Sequence, residues 1–193
     1  MISPQMSQKE IQVLKAHLSQ STSYLEFGAG YSTILCSESQ TIQAAVSVDS
    51  CREWFETITE SSITIRKAIT SERLRFRYVD IGPTSHWGYP LDRSRIIQWP
   101  EYSQIPWIPD AGFDLVFVDG RFRVACALKA ALSNPGTFSI LIHDYPNREH
   151  YSVVEEFLER ESDNDTLSSF SKRKDINLER LRSVISDYEL SPS

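Results

Sequence analysis

The sequence has 193 residues, of which 40% are hydrophobic and 24% charged, and its formal net charge is −6. This length predicts one domain spanning residues 1–193, and the negative charge argues against a broad nucleic-acid-binding surface. No apolar run approaches the roughly 20 residues that would cross a membrane. The N-terminus does not resemble a secretory signal, and the three cysteines lack metal-ligand spacing. We therefore expect a cytoplasmic protein, and the sequence leaves its oligomeric state open.

The first half of the chain alternates between helix and strand patterns. The stretch SQKEIQVLKAHL begins with Ser7 and has Glu10 three residues later, a capping-box pattern that predicts a helix over residues 6–20. A strand is predicted at Tyr24–Phe27, followed by a glycine-containing turn and a short helix. The stretch AAVSVDS predicts a second strand ending at Asp49, CREWFETITESSI a helix, and LRFRYVDIG a third strand.

The second half continues this alternation. FDLVFVDG is nearly all apolar, as a strand buried on both faces would be. FRVACALKAAL predicts a helix, TFSILIHDY a buried strand, and REHYSVVEEFLERE a helix with ERESDND as its solvated end. The tail offers one strand, TLSSFSKR, and a last helix, NLERLRSVISDYEL. Together the patterns predict a Rossmann-like, doubly wound α/β fold with a mostly parallel sheet and helices on both faces. Its final strand pair is expected to be shortened.

One segment, residues 83–110, departs from this rhythm. It contains five of the nine prolines and three of the four tryptophans. A long connection of this kind is usually functional or disordered, and its aromatic content argues against disorder. We interpret it either as a lid or substrate wall, or as a flap that covers a sheet end. As a lid, its SHWGYP stretch would place His86 and Trp87 against a substrate.

Each of the five predicted strands before the tail ends in an acidic residue. These residues are Glu26, Asp49, Asp80, Asp119 and Asp144, the last preceded by His143. Ligands of open parallel sheets bind beyond the carboxyl ends of the strands. A buried carboxylate is costly unless it is paired or hydrogen-bonded, and capping of the following helices accounts for only some of the five acids. The pattern therefore predicts a ligand site at this edge of the sheet.

The turn after the first strand indicates which ligand this is. Gly28 and Gly30 would let the backbone approach a ligand, and Asp49, 19 residues after Gly30, is placed to accept both hydroxyls of a ribose. An adenosine-type cofactor is predicted. Glu26 would repel the diphosphate of a dinucleotide but would favour the ammonium and sulfonium groups of S-adenosylmethionine. S-adenosylmethionine is thus preferred over NAD.

At these positions the chain resembles the class I S-adenosylmethionine-dependent methyltransferases. LEFGAGYS, VSVDS, YVDIG, FDLVFVDGRFR and LIHDY are similar to successive motifs of that family, over about Tyr24 to Tyr145. The DG and HDY pair is most similar to a group of small bacterial methyltransferases. The resemblance implies a set of cofactor-binding residues: Glu26, Gly28 and Gly30 for the methionine part, Asp49 for the ribose, Asp80 and Ile81 for the adenine, and Asp119 beside the methyl group. Ser32, which loosely replaces the third glycine of the dinucleotide-type spacing, is a further cofactor-binding candidate.

The catalytic candidates are Asp119, His143 and Asp144. Asp119 and His143 would orient or deprotonate the acceptor, and His143 is either a general base or a histidine satisfied by local hydrogen bonds. In related O-methyltransferases the acids that end the fourth and fifth strands can hold a divalent metal. Here Arg121 would oppose a cation at Asp119 and Asp144 by its charge, so a metal is not favoured.

The acceptor is predicted only as a class. Arg121 and Arg123 would bind a carboxylate or phosphate on the acceptor, or would pair with the strand-end acids. The predicted activity is methyl transfer to an oxygen, with nitrogen as the second choice, of a small molecule or glycan, and not to nucleic acid or at a membrane. The alternatives are a methyltransferase-like binding module without catalysis and an NAD-dependent oxidoreductase.

Overall fold

The computed structural model describes residues 2–104 and 112–192. Its centre is one seven-stranded sheet. The strands are β1 Ser23–Phe27, β2 Ala44–Asp49, β3 Leu74–Tyr78, β4 Leu115–Val118, β5 Ser139–Ile142, β6 Leu158–Asn164 and β7 Leu167–Lys172. Their order across the sheet is β3-β2-β1-β4-β5-β7-β6. The first five strands are parallel, and β7 runs antiparallel to both β5 and β6.

Helices cover both faces of this sheet. The α-helices are α1 Gln8–Ser19, α2 Tyr31–Glu38, α3 Arg52–Ser61, α4 Ile63–Thr70, α5 Trp99–Tyr102, α6 Arg123–Ser133 and α7 Leu178–Tyr188, with 3-10 turns at His86–Gly88 and Glu149–Glu156. Apolar side chains of α1 to α4 pack into one buried cluster, and those of α5 to α7 pack into the other. The two clusters share β1, where Tyr24 joins the first and Leu25 the second, because successive side chains of a strand face opposite ways. The predicted doubly wound fold is confirmed.

The first helix begins as its sequence predicts. The Ser7 side chain accepts a hydrogen bond from the Glu10 backbone, and the Glu10 carboxylate accepts one from the Ser7 backbone. Ile11, Leu14 and Leu18 follow at helical spacing and are buried. The N-terminal helix is therefore fixed both by its cap and by its apolar face.

The prediction for residues 148–161 was wrong. Only Glu149–Glu156 is helical, and as a 3-10 turn, while the charged stretch from Leu158 to Asn164 forms strand β6 instead of a solvated helix end. It pairs with β7 in an antiparallel hairpin, and most of its side chains are exposed. Pairing with a neighbouring strand overrides the helical pattern here, and charged side chains suit an edge strand. The sheet consequently has a complete final strand pair, contrary to the expected shortening.

The aromatic segment is described as far as residue 104, and residues 105–110 lie outside the described residues. Its described part is anchored to the fold. Trp99 and Tyr102 are buried in the core, and Trp99 Nε1 donates a hydrogen bond of 2.9 Å to the carbonyl of Ile81. Trp87, Leu91 and other side chains of the same segment are exposed. Among the described residues, no helix is long and apolar enough to cross a membrane.

Candidate functional site

The two glycines of the turn after β1 differ in why a side chain is absent. Gly28 has φ 95°, and a Cβ there would lie 2.5 Å from the backbone nitrogen of Gly120, in the loop after β4. Its lack of a side chain is therefore required by contact between two loops. A Cβ at Gly30 would have no atom of the described residues within 4 Å. Only Gly30 faces open space that a ligand can enter.

Glu26 organises this turn from below. Its side chain is fully buried and accepts hydrogen bonds from Tyr24 at 3.0 Å, from Ser32 at 2.7 Å and from Thr33. Burial raises the pKa of the Glu26 carboxyl, although these hydrogen bonds oppose the rise. Glu26, predicted to hold the methionine part of the cofactor, and Ser32, predicted to bind the cofactor, contact each other in this structure.

Asp49 lies at the end of β2, across from the turn. Its Oδ2 accepts a hydrogen bond of 2.9 Å from the Ala29 nitrogen, and its Oδ1 accepts bonds of 2.7 and 3.1 Å from Ser50 and Cys51. Trp54 Nε1 holds the Ala29 carbonyl at 2.7 Å. Burial raises the pKa of the Asp49 carboxyl, which the three backbone bonds oppose. The carboxylate retains acceptor capacity for hydroxyl groups of a ligand.

The two residues predicted to hold an adenine lie at the end of β3. Asp80 is half exposed, accepts a hydrogen bond of 3.0 Å from the Gly82 nitrogen, and lies 3.6 Å from Arg95 Nε. The Ile81 side chain is buried in the core, where its carbonyl is bonded to Trp99. The Asp80 carboxylate therefore has polar atoms open to a ligand.

Arg123 holds together the acids that follow β4 and β5. Its guanidinium is buried, with Nη2 3.2 Å from Asp119 Oδ1 and Nη1 3.1 Å from Asp144 Oδ2. It also donates to the carbonyls of Gly120, Asp119 and His143, at 3.0, 3.0 and 2.5 Å. Burial by itself would raise the pKa of Asp144, but the charges of Arg123 and His143 lower it. Of the two roles considered for Arg123, these contacts match pairing with the strand-end acids and not binding of the acceptor.

His143 is also held on both sides. Its Nδ1 lies 3.0 Å from Asp119 Oδ1, while its Nε2 lies 3.2 Å from Thr166 Oγ1 and 3.6 Å from Glu10 Oε2. Burial by itself would lower the pKa of His143, but the carboxylates of Asp119, Asp144 and Glu10 raise it above its ordinary value. Both ring nitrogens of His143 therefore face protein groups, as expected for a histidine satisfied by local hydrogen bonds. The imidazole can act on a ligand only through Asp119.

Asp119 combines these contacts with access to solvent. Its side chain is 31% exposed, and Oδ1 is the oxygen that faces both Arg123 and His143. Among residues 2–104 and 112–192, no side chain or backbone group donates a hydrogen bond to Oδ2. One carboxylate oxygen is therefore held by the protein, and the other keeps its acceptor capacity for a ligand.

Asp119, His143 and Asp144 each offer a ligand atom, and these atoms lie within 4.8 Å of one another. This donor set suits a divalent cation by its chemistry. The Arg123 guanidinium, however, already supplies a positive charge to both carboxylates at 3.1 to 3.2 Å. A metal therefore does not fit the site while Arg123 occupies this position, and the charge that opposes it comes from Arg123 and not from Arg121.

Arg121 follows Asp119 but has a different environment. No carboxylate lies within salt-bridge distance of it in the described part of the chain, and its buried Nε has no hydrogen-bond partner there. Its Cζ lies 6.0 Å from the centre of the Tyr89 ring. Tyr89 follows the 3-10 turn in which the predicted substrate residues His86 and Trp87 are exposed, so this turn reaches towards the loop after β4.

The backbone at this edge of the sheet is strained. Phe122, fully buried before α6, has φ 54°, and Asp144 has φ 58°. Left-handed conformations are costly for residues with side chains and cluster at functional sites. Both residues lie beside the Arg123 contacts, so these strained conformations belong to the cluster around Asp119.

Three contributors to the site were not predicted. Glu10 was assigned only to the helix cap, Thr166 lies in a hairpin turn that the sequence pattern did not indicate, and Tyr102 packs at the Gly28–Gly120 contact. The cap sequence could have pointed to a buried Glu10 but not to its neighbour His143, 133 positions along the chain.

Comparison with known structures identifies what the fold is similar to. A methyltransferase-like protein from Silicibacter pomeroyi superposes with a TM-score of 0.83 at 27% identity, over 99% of this chain and 98% of that one. An O-methyltransferase from Bacillus cereus, solved with S-adenosylhomocysteine, gives 0.51 at 14% identity, over 86% and 80%. The N-methyltransferase NodS from Bradyrhizobium japonicum, also with S-adenosylhomocysteine, gives 0.52 at 10%, over 86% and 87%. No protein-family model and no curated protein matches the sequence.

Proposed function

By its fold the chain belongs to the class I S-adenosylmethionine-dependent methyltransferases, and from this premise we propose that it methylates an oxygen of a small molecule or glycan. The cofactor is S-adenosylmethionine, whose product S-adenosylhomocysteine is bound in the Bacillus cereus and NodS structures. When bound to this protein, S-adenosylmethionine would supply an electrophilic methyl group on a sulfonium sulfur. The remaining steps depend on residues of this chain.

The residues that would hold the cofactor line the carboxyl ends of β1 to β3. Gly30 has open space where a side chain would be, and Asp49 retains acceptor capacity for the ribose hydroxyls. Asp80 has polar atoms available for the adenine end. Glu26, Ser32 and Gly28 would act by shaping the turn, since their own side-chain positions are filled by protein contacts.

The observation that carries the proposal is the open oxygen of Asp119. With Oδ1 fixed by Arg123 and His143, Oδ2 is placed to accept a hydrogen bond from an acceptor hydroxyl, and then its proton as the hydroxyl oxygen is methylated. Asp144 would act with Asp119 through the shared guanidinium. His143 would assist by orienting Asp119 and holding a positive charge near it.

Oxygen is favoured over nitrogen because a hydroxyl must lose a proton when it is methylated, and a carboxylate can take it. The net charge of −6 favours a small acceptor over nucleic acid. The 3-10 turn that contains His86 and Trp87 lies near the loop after β4, because Tyr89 next to it approaches Arg121. We expect this turn to form one wall of the acceptor site. The similar structures include both an O- and an N-methyltransferase, so the choice of oxygen depends on Asp119.

Calorimetric titration with S-adenosylmethionine, S-adenosylhomocysteine and NADH, each with and without magnesium, tests the proposal. Micromolar binding of the first two ligands alone, unchanged by magnesium, is expected. Binding of NADH instead would favour an oxidoreductase. Cofactor binding without methyl transfer to any of a panel of hydroxylated acceptors would favour a binding module. The test of the site itself is Asp119→Asn, described below.

A further inference from the structure

Arg121 is a half-buried cation that lacks a counter-ion in the described part of the chain. Its neighbour Arg123 is paired with both Asp119 and Asp144, whereas no carboxylate of residues 2–104 or 112–192 lies within 4.0 Å of Arg121. Burial lowers the pKa of the Arg121 guanidinium, and the positive charges of Arg123 and Arg148 lower it further. A charge held under these conditions would gain from an incoming anion.

A second polar group near it is also unsatisfied. Tyr151 is 1% exposed, and its buried hydroxyl has no hydrogen-bond partner among the described residues. The Arg148 guanidinium lies 5.5 Å from the centre of the Tyr151 ring, and Arg121 and Arg123 lie within electrostatic range of Tyr151. Buried hydroxyl groups are almost always paired, so an unpaired one among three arginines indicates a missing acceptor.

The three guanidinium groups of this region are not equally paired. Arg123 and Arg148 pair with the carboxylates of Asp119 and Asp144, whereas Arg121 has no carboxylate within salt-bridge distance among the described residues. Arg148 Nη2 is 3.4 Å from Asp144, which Arg123 already holds. Asp49 interacts with Arg121 only over a longer distance, and its oxygens are bonded to backbone nitrogens. Arg121 is therefore the guanidinium of this cluster whose charge the described residues leave unpaired.

We propose that Arg121, the hydroxyl of Tyr151 and Arg148 form a binding site for an oxyanion, a carboxylate or phosphate, carried by the methyl acceptor. The inference rests on the proposed function, because it places this anion beside the Asp119 oxygen that would receive the acceptor hydroxyl. Guanidinium groups bind both anions through paired N–H donors, and a tyrosine hydroxyl adds one more.

The position of the site favours the acceptor over the cofactor as the source of the anion. Arg148 and Tyr151 follow β5, which is separated from the glycine turn after β1 by β4. Arg148 also lines a surface depression of about 410 Å³, together with Tyr145, Pro146 and Glu149. The Arg148 end of the proposed site thus lies on the β5 side of the sheet, away from the glycine turn.

The first experiment measures anion binding by calorimetry, in protein saturated with S-adenosylhomocysteine and in protein without it. The probes are 4-hydroxybenzoate, its uncharged counterpart phenol, and inorganic phosphate. We expect 4-hydroxybenzoate to bind more tightly than phenol and to lose about tenfold or more in affinity in Arg121→Met. Phenol binding should not change. If neither anion binds the parent protein, or if both bind Arg121→Met as well as the parent, the inference is wrong.

Two further variants guard against a loss of folding. Tyr151→Phe removes only the unpaired hydroxyl, so it should keep the melting temperature while weakening 4-hydroxybenzoate several-fold. Arg180→Met, which removes an exposed arginine paired with Glu156 on α7, is the matched control and should bind both anions like the parent. Unchanged anion affinity in a folded Tyr151→Phe would remove the hydroxyl from the site and overturn the proposal.

The cofactor itself carries a carboxylate, and a last comparison separates this source. 5′-Methylthioadenosine lacks the amino-acid part of S-adenosylhomocysteine. We expect Arg121→Met to bind both nucleosides as the parent does. A selective loss of S-adenosylhomocysteine affinity would assign Arg121 to the cofactor and overturn the inference. If the parent binds neither nucleoside, the proposed function fails, and anion binding in the cofactor-free protein still decides whether the oxyanion site exists.

Discussion

The Glu10 carboxylate in the first turn of α1 lies 3.6 Å from Nε2 of His143, the residue that follows β5. The same carboxylate completes the helix cap with Ser7 and accepts two hydrogen bonds from Thr166. One side chain thus joins the N-terminal helix, the β6–β7 turn and the histidine behind Asp119. Because of this contact, the stability of the fold and the charge of His143 behind Asp119 both depend on the proton of the His143 imidazole.

The first prediction concerns this proton. Because Glu10, Asp119 and Asp144 raise the pKa of His143, its stabilising contribution is fully present below the unfolded pKa of about 6.5 and is lost as pH rises through the higher folded value. Glu10→Gln should lower the His143 pKa, measured by NMR titration of the imidazole. It should also reduce the decrease in melting temperature above about pH 6.5.

Glu60→Gln, on the exposed surface of α3, is the control and should leave both measurements unchanged. Glutamine can still complete the helix cap, so the variant is expected to fold. An unshifted His143 pKa in Glu10→Gln would show that the two side chains do not interact.

The second prediction concerns the buried guanidinium. Arg123→Met leaves Asp119 and Asp144 without their shared positive charge, and we expect it to lower the free energy of unfolding by about 3–5 kcal/mol. The variant should then gain a divalent-cation site formed by Asp119, His143 and Asp144. Thermal melts should show that manganese or magnesium stabilises Arg123→Met more than the parent. Equal stabilisation of both proteins would mean that Arg123 does not take the place of a metal.

The third prediction separates the two glycines. Gly30→Val adds a side chain to open space, so it should keep the melting temperature while reducing S-adenosylhomocysteine affinity about tenfold or more. Gly28→Ala forces a Cβ to 2.5 Å from Gly120 at φ 95°, so it should destabilise the fold by more than about 1 kcal/mol. Ser183→Val on α7 is the neutral control. If Gly30→Val binds the ligand like the control, the ligand does not pass Gly30.

The fourth prediction is that Asp49 cannot be removed without an effect on stability. Asp49→Ala loses three backbone hydrogen bonds that hold the turn and the start of α3, so both the melting temperature and S-adenosylmethionine affinity should fall. Asp49→Asn keeps an acceptor oxygen but loses the charge and one acceptor. It should weaken the cofactor about tenfold with a smaller loss of stability, and calorimetry with thermal melts on both variants would check this.

The fifth prediction concerns Asp119. Asp119→Asn should lower methyl transfer by about 10²- to 10⁴-fold because the amide cannot take the acceptor proton. S-adenosylhomocysteine affinity should stay within a few-fold of the parent, since the oxygen involved faces the acceptor. Single-turnover assays after an acceptor has been found provide the test. A variant that retains most of its rate would exclude Asp119 as the proton acceptor.

Local patterns were sufficient for much of this structure. The ends of parallel strands lie along one edge of the sheet, so Asp49 and Asp119 could be placed near the glycine turn from their sequence positions alone. The cap formed by Ser7 and Glu10 needed only residues three apart. Both are consequences of backbone periodicity, which the sequence displays directly.

Contacts between distant residues could not be obtained in this way. The direction of the Arg123 side chain depends on carbonyls and carboxylates from two loops, and the partnership of Glu10 with His143 depends on how α1 packs. Strand β6 was mistaken for a helix end because its charged residues become a strand only through pairing with β7. The reason for Gly28 likewise lies in Gly120, 92 positions later.

The link between Glu10 and Thr166 has a consequence for the order in which this chain can fold during its synthesis. Synthesis proceeds from the N-terminus, so α1 and its helix cap emerge long before the hairpin that supplies Thr166. Until that hairpin leaves the ribosome, Glu10 lacks these two bonds and the edge of β5 lacks its antiparallel neighbour β7. The histidine behind Asp119 therefore obtains its contacts with Glu10 and Thr166 only after the β6–β7 hairpin has been made.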